Sequence, residues 1–518
     1  MKNSLMRATL ILSAAALLSK IIGSLFRIPL QNIAGDEVLG IFTLVYPVYM
    51  VTLTLSVAGI PLAISMLIAE AQQAGDIVRI KSIFITSSIL SSLFGLTSFV
   101  VIWLFSGSLA ELLGGPSARL SLIVVSVTLL VAPYMAVYRG HFQGLGNMVP
   151  TAISQVIEQF VRVAAILVIA SYMATQAFEA EKITAGVMGA SILGAVCSLV
   201  YLRILYVSSE KQLKVPSVNW QKLEFLKNSR KILKLSIPIS IGALTLAIFN
   251  MVDSLTVPFS LQAAGTSQGD LHYLYGVYGR GLALMQIVTV FASSMVLPLV
   301  PSIVAKLAAK DLDGTKKSME KAYFLTFTFS LAAVIILMSL AVPINIGLFT
   351  DAAGSGMLTV NLFNSFFASM TVLGTGVLQG IGKGGWSAKL VLFGALLKVA
   401  INLLLINQFG LIGAAYSTLI VYVILMLLTI FSIQKSIRFP LFSKRIFYTI
   451  LSTSITGILL LIPAQFFDYG QWTRLMALSF SGAMMAGGAV VLVLLLYGFK
   501  VIGKEQLEKM PFFSRRQL

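Results

Sequence analysis

The sequence predicts an all-α polytopic membrane protein with about fourteen transmembrane helices. Of its 518 residues, 58% are hydrophobic and only 11% are charged, whereas a soluble domain carries about 25% charged residues. The apolar residues also form long runs, each near the ~20 residues that a helix needs to cross a bilayer. Soluble enzymes, disordered chains and β-barrels of short alternating strands are therefore excluded.

Short polar breaks separate the apolar runs and define the predicted spans. The first run follows Lys2 and Arg7, and apolar character resumes after Lys20, which indicates an uncleaved span rather than a signal peptide. The spans are 5–28, 40–69, 82–106, 118–138, 150–173, 183–206, 232–257, 274–303, 322–348, 357–380, 388–407, 410–433, 446–463 and 475–499.

The basic residues are distributed unevenly between alternate loops. Of 37 Lys and Arg residues, 29 fall in the termini and in one set of alternate loops, and three (Arg119, Lys182 and Arg474) fall in the opposite set. Such a bias places both termini in the cytoplasm and requires an even number of spans. We therefore expect a multi-pass protein of the cell (plasma) membrane. The net charge of +18 then reflects topology, and no nucleic-acid partner is implied.

A weak internal repeat divides the chain. Residues 143–146 (QGLG) match 379–382 (QGIG), and 162–164 (RVA) match 398–400 (KVA), both at an offset of 236 residues. An offset of six spans gives the two halves the same orientation, as in parallel-repeat transporters. The repeat predicts two six-helix lobes followed by two further helices. The predicted domains are an N-terminal lobe (1–206), a basic cytoplasmic linker (207–231), a C-terminal lobe (232–433), and helices 13 and 14 with a basic cytoplasmic tail (434–518).

Ionisable residues inside spans are the candidate functional residues, because each costs about 2.5–3.5 kcal/mol at the bilayer centre unless it faces protein or water. The excess of cations predicts a cavity for an anion, since Arg and Lys both bind phosphate oxygens. The predicted head-group ligands are Lys20, Arg27, Arg162, Arg280 and Lys398, and the embedded acids are Glu158 and Asp253.

The two acids have different predicted roles. Glu158 lies one helical turn before Arg162, so we expect the two to pair. Asp253 has Asn250 one turn before it, and this pair is either a cation-coupling site or a set of counter-ions.

A specific motif supports a family resemblance. The stretch RGHFQG (139–144), followed by MxPTAxSQxxEQxxR (148–162), resembles the polysaccharide biosynthesis or stage V sporulation protein B-like family of the multidrug/oligosaccharidyl-lipid/polysaccharide (MOP) exporter superfamily, which also contains the MurJ-like lipid II flippases. Further support comes from SKIIG (19–23), GIPLAIS (59–65) and QGIGK (379–383). The resemblance extends over essentially the whole chain.

The resemblance implies a flippase that moves an undecaprenyl-pyrophosphate-linked saccharide, such as lipid II or a related cell-wall precursor, from the inner to the outer leaflet. It also implies a cationic central cavity, in which Lys20 and Arg27 would be the cations of the first helix, and a groove for the lipid tail between the last two helices. Its partners would be the lipid-linked substrate and the bilayer.

Three alternatives stay open. A cation-coupled multidrug exporter of the same superfamily would need buried acids, which the excess of embedded cations disfavours. A membrane glycosyltransferase would need catalytic carboxylates or a large outer loop, and the outer loops are short. A non-transporting envelope or sporulation assembly protein has no reason to bear buried charges. Flipping breaks no bond, so we expect no catalytic residue, cofactor or metal. The coupling ion (proton or sodium) and the oligomeric state stay open.

Overall fold

The chain is described by a computed structural model that covers residues 14–15, 17–57, 59–213, 222–440 and 443–503. All regular secondary structure in these ranges is helical, as expected where lipid offers the backbone no hydrogen-bond partner. The helices are α1 (17–25), α2 (Arg27–Val57), α3 (Ile60–Gln73), α4 (Ile77–Leu104), α5 (Ser106–Leu112), α6 (Ser117–Ser126), α7 (Thr128–Gly144), α8 (Val149–Thr175), α9 (Ala180–Leu213), α10 (Lys222–Ala243), α11 (Thr245–Ala263), α12 (Gln268–Ala308), α13 (Leu312–Ser339), α14 (Ala341–Phe349), α15 (Ser355–Gly380), α16 (Gly384–Phe409), α17 (Leu411–Gln434), α18 (Lys444–Gln465) and α19 (Arg474–Gly498).

The predicted polytopic helical class is confirmed. Among the described residues, 12 helical stretches are long and apolar enough to cross a membrane. The first of them, Leu17–Gln73, is 57 residues long and covers two predicted spans. Gly35 separates these spans, because its φ of 82° interrupts α2 in a conformation that glycine adopts readily. The predicted span 232–257 corresponds to α10 and α11, so the structure is consistent with about fourteen spans.

The chain forms two compact units. Unit 1 comprises Met1–Gly279 and Gly384–Ser417, and unit 2 comprises Arg280–Lys383 and Thr418–Leu518. Unit 1 therefore includes 232–279 and 384–417 along with the first six predicted spans. The two-lobe domain boundaries predicted from the repeat stay a prediction.

Unit 1 is held together by buried apolar side chains and by close helix crossings. One core cluster includes Phe42, Leu122 and Ile166, all nearly inaccessible to solvent. At the crossing of α2 and α12, a Cβ placed on Gly40 would lie 1.9 Å from the carbonyl oxygen of His272. Position 40 therefore requires glycine. Small residues allow close backbone contact between membrane helices, and Gly40 allows it between α2 and α12.

Unit 2 has its own core. Leu284, Leu340 and Leu362 are buried in one cluster, where α12, α14 and α15 meet. Close approach again depends on glycine, since a Cβ on Gly376 would lie 2.5 Å from a methyl carbon of Val296. These helices position Arg280, one of the predicted site residues.

Candidate functional site

Lys398 on α16 is already neutralised within unit 1. Its Nζ atom lies 2.8 Å from Oδ2 of Asp253 on α11, and both residues are only 1% exposed. Asp253 accepts two further hydrogen bonds, from the Tyr278 hydroxyl at 2.9 Å and from Nδ2 of Asn402 at 2.9 Å. Asp253 therefore acts as the counter-ion of Lys398 in this structure. Asn250 lies one turn away, and its carbonyl oxygen accepts a hydrogen bond from Ser254.

Arg280 on α12 is also paired, within unit 2. Its two terminal nitrogens lie 2.7 and 3.0 Å from the two carboxylate oxygens of Asp351, which follows α14. The Arg280 side chain is fully buried, whereas that of Asp351 is 46% exposed. These hydrogen bonds hold the pKa of the Asp351 carboxyl below its usual value. This bidentate pair fixes the segment between α14 and α15.

The expected pairing of Glu158 with Arg162 is wrong. Oε2 of Glu158 instead lies 2.7 Å from Nη2 of Arg139. Arg139 follows the predicted span 118–138, but it is buried on α7 and also donates to the hydroxyls of Ser154 and Ser198. Spacing along the sequence relates residues of one helix, so it does not predict that Arg139 on the neighbouring helix α7 is the partner of Glu158.

Arg27 and Arg162 are the buried cations that have no carboxylate partner among the described residues. They are 5% and 7% exposed, respectively. Arg27 begins α2, and its guanidinium carbon lies 5.6 Å from the ring centre of Tyr46. Arg162 on α8 donates from Nη1 to the Tyr46 hydroxyl at 3.4 Å. Tyr46 therefore contacts both guanidinium groups, and the two positive charges are close enough to interact.

Aromatic rings line this arginine pair, which we define as Arg27 and Arg162. The guanidinium carbon of Arg27 lies 5.9 Å from the ring centre of Phe42, and that of Arg162 lies 5.9 Å from the ring centre of Phe26. Such cation–π contacts stabilise a desolvated guanidinium by about 2 kcal/mol. Because a ring face accepts no strong hydrogen bond, these contacts do not satisfy the Nε donors of either arginine.

Several polar atoms at the arginine pair have no hydrogen-bond partner within the described part of the chain. Two of them, Nε of Arg27 and Nε of Arg162, are cationic donors, and Oε1 of Gln159 is an acceptor that an anion would not satisfy. A buried ionic donor without a partner is costly, and such groups are normally paired. The arrangement is therefore suited to a ligand that brings negative oxygen atoms.

Lys20 lies on α1, three residues before Gly23, so these two residues share one face of that helix. A Cβ on Gly23 would lie 3.0 Å from Oε1 of Gln159 and 3.2 Å from Nη2 of Arg162, so this face packs directly on α8. The side chain of Lys20 is exposed.

An apolar groove lies elsewhere, within unit 2. It has a volume of about 200 Å³ and runs between α18 and α19. Its walls include Leu460 on α18 and Met484, Gly487 and Gly488 on α19. The groove lies where the family resemblance implies a site for a lipid tail.

Four residues of the site were not predicted from the sequence. Arg139 contacts Glu158, and the rings of Phe26, Phe42 and Tyr46 surround the arginine pair. Arg139 opens the motif that carries the family resemblance, and this was a signal that could have identified it. The three aromatic residues lie in apolar runs and carry no comparable signal.

Comparisons with known proteins identify the family of this chain. Residues 5–306 match the family described as polysaccharide biosynthesis protein. The chain is 25% identical to stage V sporulation protein B of Bacillus subtilis (strain 168) over 99% of both chains. It is 23% identical to the lipid II flippase MurJ of the same organism, covering 95% of this chain and 93% of the relative.

Solved structures show the same fold. An inward closed conformation of the lipid II flippase MurJ superposes with a TM-score of 0.69 at 14% identity, covering 94% of this chain and all of that one. An inward-facing multidrug resistance MATE family transporter of the MOP superfamily gives a TM-score of 0.64 at 17% identity, covering 80% of this chain and 95% of that one. The chain therefore belongs to the polysaccharide biosynthesis protein family.

Proposed function

We propose that this protein is a flippase that moves an undecaprenyl-pyrophosphate-linked saccharide from the inner to the outer leaflet by alternating access. The observation that carries the proposal is the arginine pair, two buried guanidinium groups without a carboxylate partner among the described residues. Both termini are proposed to be cytoplasmic, in line with the basic loops.

The chemistry of a pyrophosphate suits this site. Arginine presents a planar fork of N–H donors that matches two phosphate oxygens, and such charge-assisted bonds are about twice as strong as neutral ones. The rings of Phe26, Phe42 and Tyr46 exclude water around the charges, which strengthens their attraction for an anion. Lys20 lies on the same face of α1 as Gly23, which packs on α8, and is proposed to add a third positive charge to the site.

The rest of the cargo needs a different environment. A polyprenyl chain is apolar, and the groove between α18 and α19 offers an apolar surface of suitable character. Moving the head group past the hydrocarbon core requires neutralisation of its charge, but no bond is made or broken. We therefore propose transport without catalysis.

The relatives support the same class of cargo. One of them is described as a lipid II flippase and another as a stage V sporulation protein. We propose lipid II or a related cell-wall precursor, including a precursor used in sporulation, as the substrate of this chain.

The cation-coupled exporter has less support. Such a protein would need a buried carboxylate ready to bind a proton or a cationic drug. Within the described residues, Asp253 is bonded to Lys398, Tyr278 and Asn402, and the other buried aspartate, Asp36, accepts a hydrogen bond from Gln31 at 3.1 Å.

The test is flipping of a fluorescent lipid II in proteoliposomes, read as protection from a membrane-impermeant reductant. Wild type should flip it, and the double variant Arg27→Gln/Arg162→Gln should lose flipping while inserting normally. Arg119→Gln is the matched control, since Arg119 is exposed at the end of another helix. Full flipping by the double variant would contradict the proposal. Complementation of a strain depleted of its lipid II flippase then tests the saccharide.

A further inference from the structure

Arg139 holds the carboxylate that could otherwise neutralise the arginine pair. Its guanidinium joins three helices, because Nε donates to Ser154 on α8 at 2.9 Å and Nη2 donates to Ser198 on α9 at 3.1 Å. The same Nη2 atom lies 2.7 Å from Oε2 of Glu158. The Arg139 side chain is only 7% exposed, so this contact is fixed by packing.

Glu158 has a second partner within reach. It precedes Arg162 by four residues on α8, and an acid placed N-terminal to a base at this spacing is a favourable helical pair. Among the described residues, Glu158 is the carboxylate that acts electrostatically on Arg162. It nevertheless bonds to Arg139, and Arg162 is left with Tyr46 and an unpartnered Nε atom.

The cation with which Glu158 pairs determines the net charge at the arginine pair. If Glu158 formed an ion pair with Arg162, Arg27 would be the one unpaired guanidinium of the arginine pair. A ligand anion would then compete for Arg162 with the carboxylate of Glu158, which is held nearby on the same helix. We infer that Arg139 is a positioning residue for the proposed anion site: it withholds Glu158 from Arg162 and so keeps Arg162 able to bind the head group. This inference rests on the proposed function.

The experiment measures binding of farnesyl pyrophosphate, a short prenyl pyrophosphate, to the purified full chain by calorimetry. In Arg139→Gln, Glu158 loses its cation and turns to Arg162, so affinity should fall about tenfold or more. Adding Glu158→Gln removes the competing carboxylate, so the double variant should return to within about twofold of wild type. Arg139→Lys keeps a positive charge for Glu158 and should stay closer to wild type than Arg139→Gln does.

Recovery by the second substitution separates this role from a structural one. A merely structural Arg139 would leave the double variant at least as weak as Arg139→Gln, and that result would overturn the inference. Wild-type affinity in Arg139→Gln would overturn it as well.

A second measurement does not depend on the ligand. Glu158→Gln and Arg162→Gln, singly and together, are compared by thermal unfolding in the wild-type and the Arg139→Gln backgrounds. The coupling between the two substitutions should be larger in the Arg139→Gln background, where the two side chains pair, than in the wild-type background. If wild type binds no farnesyl pyrophosphate, the proposed function fails, but stronger coupling in Arg139→Gln still supports the altered pairing. Equal coupling in both backgrounds would overturn the inference.

Discussion

Arg162 and Lys398 occupy equivalent positions of the internal repeat, yet their surroundings differ. Lys398 faces Asp253 across a fully buried ion pair, whereas Arg162 faces the hydroxyl of Tyr46. One cation is neutralised by the protein and the other is not. The difference shows that a repeat predicts where a charge lies, while the facing helix decides whether that charge can bind a ligand.

The largest effect on stability is expected at the ion pair between Lys398 and Asp253. Asp253→Asn keeps the shape of the side chain but leaves Lys398 buried without a counter-charge, so the free energy of unfolding should fall by about 3–5 kcal/mol. Thermal unfolding in detergent measures the change. The double variant Asp253→Asn/Lys398→Met should recover most of the loss, and wild-type stability in Asp253→Asn would show that the ion pair is not what holds this cluster.

The opposite result is expected for Arg162. Arg162→Gln removes a charge that no described carboxylate partners, so the unfolding midpoint should stay the same or rise. Affinity for farnesyl pyrophosphate should fall about tenfold or more, because a charge-assisted hydrogen bond is lost. A large loss of stability with unchanged affinity would place Arg162 with Lys398 as a structural cation.

A smaller effect on ligand affinity is expected from a substitution of Gly23, because this glycine lets α1 approach Arg162. In Gly23→Ala the added methyl would lie 3.0 Å from Oε1 of Gln159 and 3.2 Å from Nη2 of Arg162. Both side chains must shift, which should weaken binding by a factor corresponding to about 1 kcal/mol. Gly107→Ala is the matched control, since nothing lies within 4 Å of its added Cβ. Equal affinities of the two variants would contradict the packing of α1 on α8.

The smallest effect concerns Asp351 and depends on pH. Its pKa lies below the ordinary value of 3.8 because of its hydrogen bonds from Arg280, so the carboxylate stabilises the fold above that value. As pH falls through the lowered pKa, the carboxylate becomes protonated and this stabilisation is lost. Asp351→Asn should therefore unfold at a slightly lower temperature than wild type at neutral pH, and the two curves should converge in strong acid. A difference that persists there would mean that the ion pair is not its cause.

The sequence predicted the helical class and the family, because hydropathy and short motifs are properties of single residues and short windows. It could not predict which cations are neutralised. Asp351 falls between the predicted spans 322–348 and 357–380, but it pairs with Arg280 on α12. Arg139 follows the predicted span 118–138, but it is buried and pairs with Glu158 on α8. In both ion pairs, helix packing brings together residues on different segments of the chain, and residue spacing within one helix does not predict such contacts.

The most direct test of the arginine pair compares two ligands that share a farnesyl chain and differ in the presence of the pyrophosphate group. Wild type should bind farnesyl pyrophosphate about a hundredfold more tightly than farnesol, since two guanidinium groups each contribute a charge-assisted interaction. In Arg27→Gln/Arg162→Gln this preference should disappear, while Arg119→Gln retains it. A double variant that still prefers the pyrophosphate as strongly as wild type does would contradict the assignment of the head-group site to Arg27 and Arg162.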